Sequence, residues 1–202
     1  MTKPIIAFDL DDVLADSTEF WRVTINEQTG LGLTADLYRV PGDYWGYYEN
    51  IWREHKVDEL ITLPDINTTI VEDQSGISAY AEALEILTGL KKRYRLVVVT
   101  ARGGNQIPES ERWLQKNFPD IFSEIIFTAK AIGEARQDKG EVCEEIGARW
   151  LVDDNPSHCQ HAIDRGVGAI LFGEFGWHTA VPAQAISCKD WQAVRDYFSG
   201  QN

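Results

Sequence analysis

Asp9, Asp11, Asp12 and Asp16 fall inside the stretch IIAFDLDDVLADS, residues 5–17, directly behind an apolar run. An apolar, β-branched run that ends in carboxylates is the pattern of a buried strand carrying acids at its tip. Carboxylates this close repel one another unless a cation or a proton joins them. A carboxylate held rigidly can attack phosphorus and form an aspartyl-phosphate. A second one, two residues along, can act as general acid and then as base, worth roughly 10²- to 10⁴-fold in rate. Asp9 and Asp11 have that spacing. Asp12 is expected to be a solvated loop acid, and Asp16 or Ser17 a helix N-cap.

Three further places supply matching groups. RLVVVT (95–100) ends in Thr100, followed by Ala101 and Arg102. RWLVDD (149–154) ends in Asp153 and Asp154, and Lys139 opens the helical pattern before it. Lys130 competes with Lys139 for the role of the cation. Oxygen donors without His or Cys at these strand ends suit Mg²⁺ better than zinc. Thr100 and nearby N–H groups could hold phosphoryl oxygens, with Lys139 near a helix N-terminus adding positive charge.

These groups converge only if the strands are parallel neighbours. PIIAFD (4–9), RLVVVT (95–100), EIIFT (124–128), RWLVDD (149–154) and GAILF (168–172) all have the composition of buried parallel strands. Helical patterns at 78–93, 108–118, 138–147 and 156–166 separate the later ones, several with proline or a capping acid at the start and glycine at the end. The alternation predicts an α/β fold, a Rossmann-like doubly wound parallel sheet, with ligands at the carboxyl ends of its strands. Residues 17–80 break the alternation. They hold a helical pattern at 17–30 and the aromatic stretch GDYWGYYENIWREH (42–55). They are expected to form a mostly helical cap inserted after the first strand, over a core of residues 1–16 and 81–202. Phe20, Trp21, Tyr44, Trp45 and Tyr48 are candidates for the substrate pocket, because aromatic rings stack on bases. The competing reading is that they fill the cap's own core.

Composition narrows the classes. The 202 residues carry a formal net charge of −13, against a nucleic-acid duplex binder. No apolar run is long enough for a membrane span, and the N-terminus lacks a signal-peptide pattern. Cys143, Cys159 and Cys188 show neither CxxC nor metal-like spacing, which fits reduced thiols and a cytoplasmic location. His55, His158, His161 and His178 show no partner pattern, and EFGWH (174–178) reads as a loop at the active edge.

DLDDV resembles the first motif, D-x-D-x-[T/V], of the haloacid dehalogenase (HAD) superfamily. VVVTAR, Lys139 and LVDDNP are similar to its second, third and fourth motifs, in order. The resemblance implies Asp9 as nucleophile and Mg²⁺ ligand. It implies Asp11 as acid/base, giving its backbone carbonyl to the metal. Thr100 would bind phosphate, Lys139 would balance charge, and Asp153 would ligate Mg²⁺ with Asp154 as direct or water-mediated helper. The second acid of the first motif points to phosphate transfer rather than dehalogenation. AFDLDDVLADS, the helical insertion behind it and WLVDDNP further resemble the 5'(3')-deoxyribonucleotidase family. Its animal members have Thr-Ser-Pro where this chain has Thr100-Ala101-Arg102, and Arg102 offers a phosphate a fork-shaped donor. The expected partners are a small phosphorylated substrate, a nucleotide first and a sugar phosphate second, and a second copy of the chain. A non-enzymatic receiver domain would carry its acceptor Asp at the end of the third strand, which here reads FTAK.

Overall fold

The computed structural model describes residues 2–61, 73–129 and 136–201. Lys130 lies outside the described residues. Six strands form one parallel sheet: β1 Ile5–Phe8, β2 Arg95–Gly103, β3 Glu124–Ala129, β4 Ala148–Asp153, β5 Gly168–Phe172 and β6 Ile186–Cys188. Their spatial order is β3-β2-β1-β4-β5-β6. The order reverses between β1 and β4, so the crevice at their carboxyl ends is where a doubly wound sheet binds its ligand. Five of the strands match the apolar runs. β6 has only three residues and an exposed Ile186, too little signal for a sequence reading.

Alternation along the strands decides which helix lies on which face. Ile6 and Phe8 join Leu96, Val98, Trp150, Val152, Ile170 and Phe172 in one core cluster. Helices α3 (Ala83–Leu90), α4 (Ile107–Asn117) and α7 (Trp191–Ser199) pack there through Leu87, Trp113 and Phe198. Ala7, Val97, Val99 and Leu151 point the other way, onto Val142 and Cys143 of α5 (Lys139–Glu145) and Ala162 of α6 (Pro156–Asp164). Gly140 permits that packing: a Cβ there would stand 2.6 Å from the His161 carbonyl oxygen. The close approach seats the N-terminus of α5, and with it Lys139, over the sheet edge.

After β1 the chain curls through one tight turn and leaves for the segment 17–80, the expected cap. Departing and returning linkers pair antiparallel at Ala15 and Ala79, with Asp16 N–H donating to Ser78 O at 2.9 Å and Tyr80 N–H to Leu14 O at 3.1 Å. This pairing makes α3 start at Ala83, later than the helical pattern at 78 suggested. Cap helix α1 spans Ser17–Thr29 and α2 spans Tyr47–Glu54. Ile25, Leu33, Trp52, Val57 and Ile61 make the cap's own small core. The 173–178 loop of the core meets the cap: Gly42 N–H donates to Gly176 O at 3.1 Å and Gly176 N–H to Tyr38 O at 3.2 Å. Trp177 is buried between Tyr38 and Tyr47.

Candidate active site

Asp9 follows β1 directly and stays in the ladder, its N–H donating to Val152 O at 2.9 Å. Asp9 is 5% exposed. Lys139 Nζ lies 2.6 Å from Asp9 Oδ2 and 2.8 Å from Asp153 Oδ2. The ammonium thus bridges the tips of β1 and β4, across the point where strand order reverses. Asp153 also accepts from the Asn155 N–H at 2.9 Å and from His158 Nδ1 at 3.1 Å. Asp154 is 4% exposed beside it. Its carbonyl accepts from Trp177 Nε1 at 3.1 Å and His178 Nε2 at 2.6 Å, which ties the 173–178 loop to the site.

The charge balance is uneven. Burial pushes the Asp9 carboxyl up to about 6, against the pull of Lys139. Burial and the Asp153 charge hold Asp154 well above the usual carboxylate range. Asp153 goes the other way: burial would raise it, but Lys139 and His158 lower it below an ordinary aspartate. One buried ammonium therefore faces more negative charge than it can neutralise.

A cavity of about 350 Å³ opens over these groups. Asp9, Asp11, Asp154 and Lys139 line it on the core side, with Ala101 and Arg102 beside them; Trp21, Tyr44 and Tyr48 line it from the cap. Its size is in the range of small-molecule sites. Asp11 is gripped by Arg102: Nε donates to Oδ2 at 3.0 Å and Nη2 to Oδ1 at 2.6 Å. Ser17 Oγ adds a hydrogen bond to Oδ1 at 2.5 Å. Burial would raise the Asp11 carboxyl, yet Arg102 and Ser17 hold it below the usual range.

Several expectations need correcting. Asp12 is no solvated loop acid: it is 4% exposed, in a left-handed turn with φ 54°. It accepts from Thr18 N at 2.9 Å and Thr18 Oγ1 at 2.8 Å, doing at the start of α1 what Asp16 was expected to do. Asp16 occupies the N-cap position without a side-chain cap hydrogen bond. Thr100 is fully buried beneath the cavity wall, its Oγ1 accepting from the Arg102 N–H at 3.2 Å. Arg102 spends its donors on Asp11, Gln74 and Ser110. Phe20 packs against the core cluster, and Trp45 is 73% exposed, edge-on to Tyr44. The aromatic stretch divides: Tyr44 and Tyr48 face the cavity, whereas Tyr47 and Trp52 are buried in the cap.

Asp12, Ser17, Gln106, Arg136 and His158 also line the cavity; the sequence reading gave Asp12 and Ser17 only loop and cap roles, saw no partner for His158, and did not name Gln106 or Arg136. His158 stands in the first turn of α6, which projects back to the strand tip that precedes it. A histidine does therefore stand beside the oxygen donors, and Asp9, Asp153 and His158 each bring one ligand atom within 4.8 Å of the others. Arg136 lies in the loop three residues before Lys139, ahead of the first turn of α5.

The shifts fix a sign for metal-free stability. Asp9 (to about 6), Asp12 (to about 7) and Asp154 are raised above the ordinary 3.8. Their contribution is complete below 3.8 and is lost as pH rises through the folded values. Lowered Asp11 and Asp153 add nothing further above pH of about 4.5, where both states are ionised. Buried His178, lowered, opposes the trend near its ordinary 6.5, one group against the several raised acids. Thermal melts in chelator are expected to show a midpoint that falls between about pH 5 and 7.5, with Asp12→Asn flattening the slope. A rising midpoint would contradict this account.

The chain has the fold of the HAD hydrolases. The L-2-haloacid dehalogenase of Xanthobacter autotrophicus superposes with a TM-score of 0.65 at 13% identity over 100% of both chains. A predicted phosphatase from Clostridium acetobutylicum gives 0.65 at 14% identity, covering 98% of this chain and 99% of its own. A HAD-superfamily hydrolase from Ehrlichia chaffeensis gives 0.58 at 17%, covering 98% of each. In sequence, an uncharacterized 32.4 kDa protein from the Gp30-rIII intergenic region of Enterobacteria phage T4 is 23% identical over 209 aligned residues, 96% of this chain and 69% of its own length. No family model matches the chain.

Proposed function

We propose that this chain is a phosphohydrolase that cleaves a small phosphomonoester, a (deoxy)nucleoside 5'-monophosphate foremost, with residues 17–80 as its cap. The observation that carries the reading is the pair Asp9 and Asp11 on one cavity wall, Asp9 beside the buried Lys139. Asp9 attacks phosphorus, and the P–O bond to the leaving group breaks as that oxygen takes a proton from Asp11, which takes it up from solvent when the charge of the bound phosphate offsets the Arg102 guanidinium beside it. Asp11, now a carboxylate, removes a proton from water. The water oxygen attacks the aspartyl-phosphate, inorganic phosphate leaves, and Asp9 is regenerated. Lys139 opposes the rise that burial gives the Asp9 carboxyl and faces the charge of the incoming phosphoryl group.

The donor set fits Mg²⁺. Among the described residues the acids outnumber the one ammonium at the site, and two of them, Asp9 and Asp154, are raised by burial and mutual repulsion. Asp9, Asp153 and Asp154, with the Asp11 carbonyl, are the oxygens that would hold it. When bound, Mg²⁺ supplies positive charge that screens the phosphate from these acids. Three buried free thiols, Cys143, Cys159 and Cys188, accord with a cytoplasmic setting. Among the described residues no helix is long and apolar enough to cross a membrane.

Trp21, Tyr44 and Tyr48 on the cap wall support a base in the leaving group. A second reading, a small acidic phosphate such as phosphoglycolate, is favoured by Arg136 on the cavity wall, which could meet a second anion. A Mg²⁺ hydrolysis panel of nucleoside monophosphates, sugar phosphates and phosphoglycolate separates the two. Base stacking is worth roughly 1–3 kcal/mol, so Tyr44→Ala is expected to raise KM for the best nucleotide roughly 5- to 160-fold. KM for glycerol 2-phosphate should barely change. Equal effects on both would make Tyr44 a packing residue.

A further inference from the structure

Arg102 is 4% exposed, although the sequence alone made it a phosphate ligand. Two edges of its guanidinium do different work. Nε and Nη2 hold both oxygens of Asp11 at 3.0 and 2.6 Å. Nη1 turns inward, to Gln74 Oε1 and to Ser110 Oγ, the latter at 3.2 Å. Gln74 Nε2 donates to the same Ser110 Oγ at 3.2 Å. Gln74 and Ser110 are completely buried. Ser110 belongs to α4 in the core, and Gln74 belongs to the linker that returns from the cap. That linker is itself fixed: Ile77 N–H donates to Gln74 O at 3.0 Å, and Trp113 Nε1 of α4 donates to Ile77 O at 2.8 Å.

We infer that Gln74 and Arg102 are positioning residues, which aim the Asp11 carboxyl at the leaving group and tie its direction to the seating of the cap's return linker. The inference rests on the phosphohydrolase reading for Asp11's role and on this network for its geometry. A planar fork that holds both carboxylate oxygens leaves Asp11 little freedom at either of its torsions. The fork is in turn aimed by groups on its far side. Among the described residues the Gln74 side chain hydrogen-bonds to Arg102 and Ser110, so its influence on Asp11 travels through Arg102. A misplacement of about 1 Å in a proton donor can cost on the order of 10²-fold.

The test uses the need for a proton. An alkyl leaving group requires Asp11's proton, whereas p-nitrophenolate leaves without one. Gln74→Leu removes the inner acceptor at similar volume. It is expected to lower kcat for an alkyl phosphate roughly 10- to 100-fold, with KM changed by less than about 3-fold and p-nitrophenyl phosphate turnover changed by less than about 3-fold. Equal loss on both esters, or loss on neither, overturns the inference. A second readout does not depend on turnover. The Arg102 Nε–H is expected as a slowly exchanging ¹⁵N-resolved proton signal, assigned by its disappearance in Arg102→Lys. It should shift or broaden in Gln74→Leu, and an unchanged signal overturns the relay. Should wild type hydrolyse no ester, the functional reading fails and this signal alone decides the relay. Ser110→Ala, which removes the shared acceptor, replaces Gln74→Leu if that variant does not fold.

Discussion

Asp9→Asn is expected to lower kcat by roughly 10⁴- to 10⁶-fold, the scale seen when an enzyme loses its nucleophile, while the protein still folds. The carboxamide has the shape of the carboxylate and can still accept the short hydrogen bond from the Leu10 N–H, which lies 2.6 Å from Asp9 Oδ1. It cannot form the aspartyl-phosphate. Stability should move the other way. The ionised Asp9 carboxylate is disfavoured in the metal-free fold, since its value is pushed up to about 6 by burial and by the neighbouring acids. Above that pH, Asp9 lowers stability relative to the unfolded chain, whose aspartate ionises at its ordinary value. Asp9→Asn removes this cost, so in chelator at about pH 7.5 the variant should melt at or above the wild-type temperature. Lys139 keeps Asp153 as a partner at 2.8 Å, so no buried cation is orphaned. Mg²⁺-dependent turnover within about 10-fold of wild type would end the nucleophile assignment.

Lys139→Met should have the largest effect on stability. Lys139 is 2% exposed and touches two buried carboxylates. Removing one member of such a buried group costs about 3–5 kcal/mol, because the remaining charges lose their compensation. For a chain of this length that corresponds to a drop in Tm of roughly 6–20 °C. The drop should be greater at about pH 7.5 than at pH 5, because at lower pH Asp9 and its neighbours escape the repulsion by taking up protons. Mg²⁺ should recover part of the loss at the higher pH by supplying the missing positive charge. Turnover should fall by at least about 10²-fold, as when one preorganised charge is taken from a developing transition state. A Tm within about 2 °C of wild type at both pH values would mean that the acids are neutralised by some other route.

The parts of this molecule that were legible in the sequence are those governed by local pattern. Strands β1 to β5 are continuous apolar runs because both faces of a parallel sheet are buried. The helices between them carry their own start and stop residues. Strand β6 and α7 were not legible. β6 offers only Ile186, Ser187 and Cys188, and α7 pairs with the sheet through Trp191, Val194 and Phe198, a stripe noticed only once the sheet is there to receive it. Asp12 was misjudged for the same kind of reason. Its partners, Thr18 N–H and Thr18 Oγ1, come to it by the curl of the chain after β1, which no periodicity announces.

The apolar runs were enough for the parallel sheet and for the acids and lysine that meet at one edge, because strand direction carries every strand-end residue to the same side. Tertiary structure alone decided what those residues touch. It put Lys139 between Asp9 and Asp153, set His158 on Asp153, buried Thr100, divided the cap aromatics between cavity and core, and turned Arg102 away from solvent onto Asp11 and Gln74. Contacts of this kind join residues dozens of positions apart. They depend on side-chain directions that are fixed only when the helices and the cap have closed over the sheet.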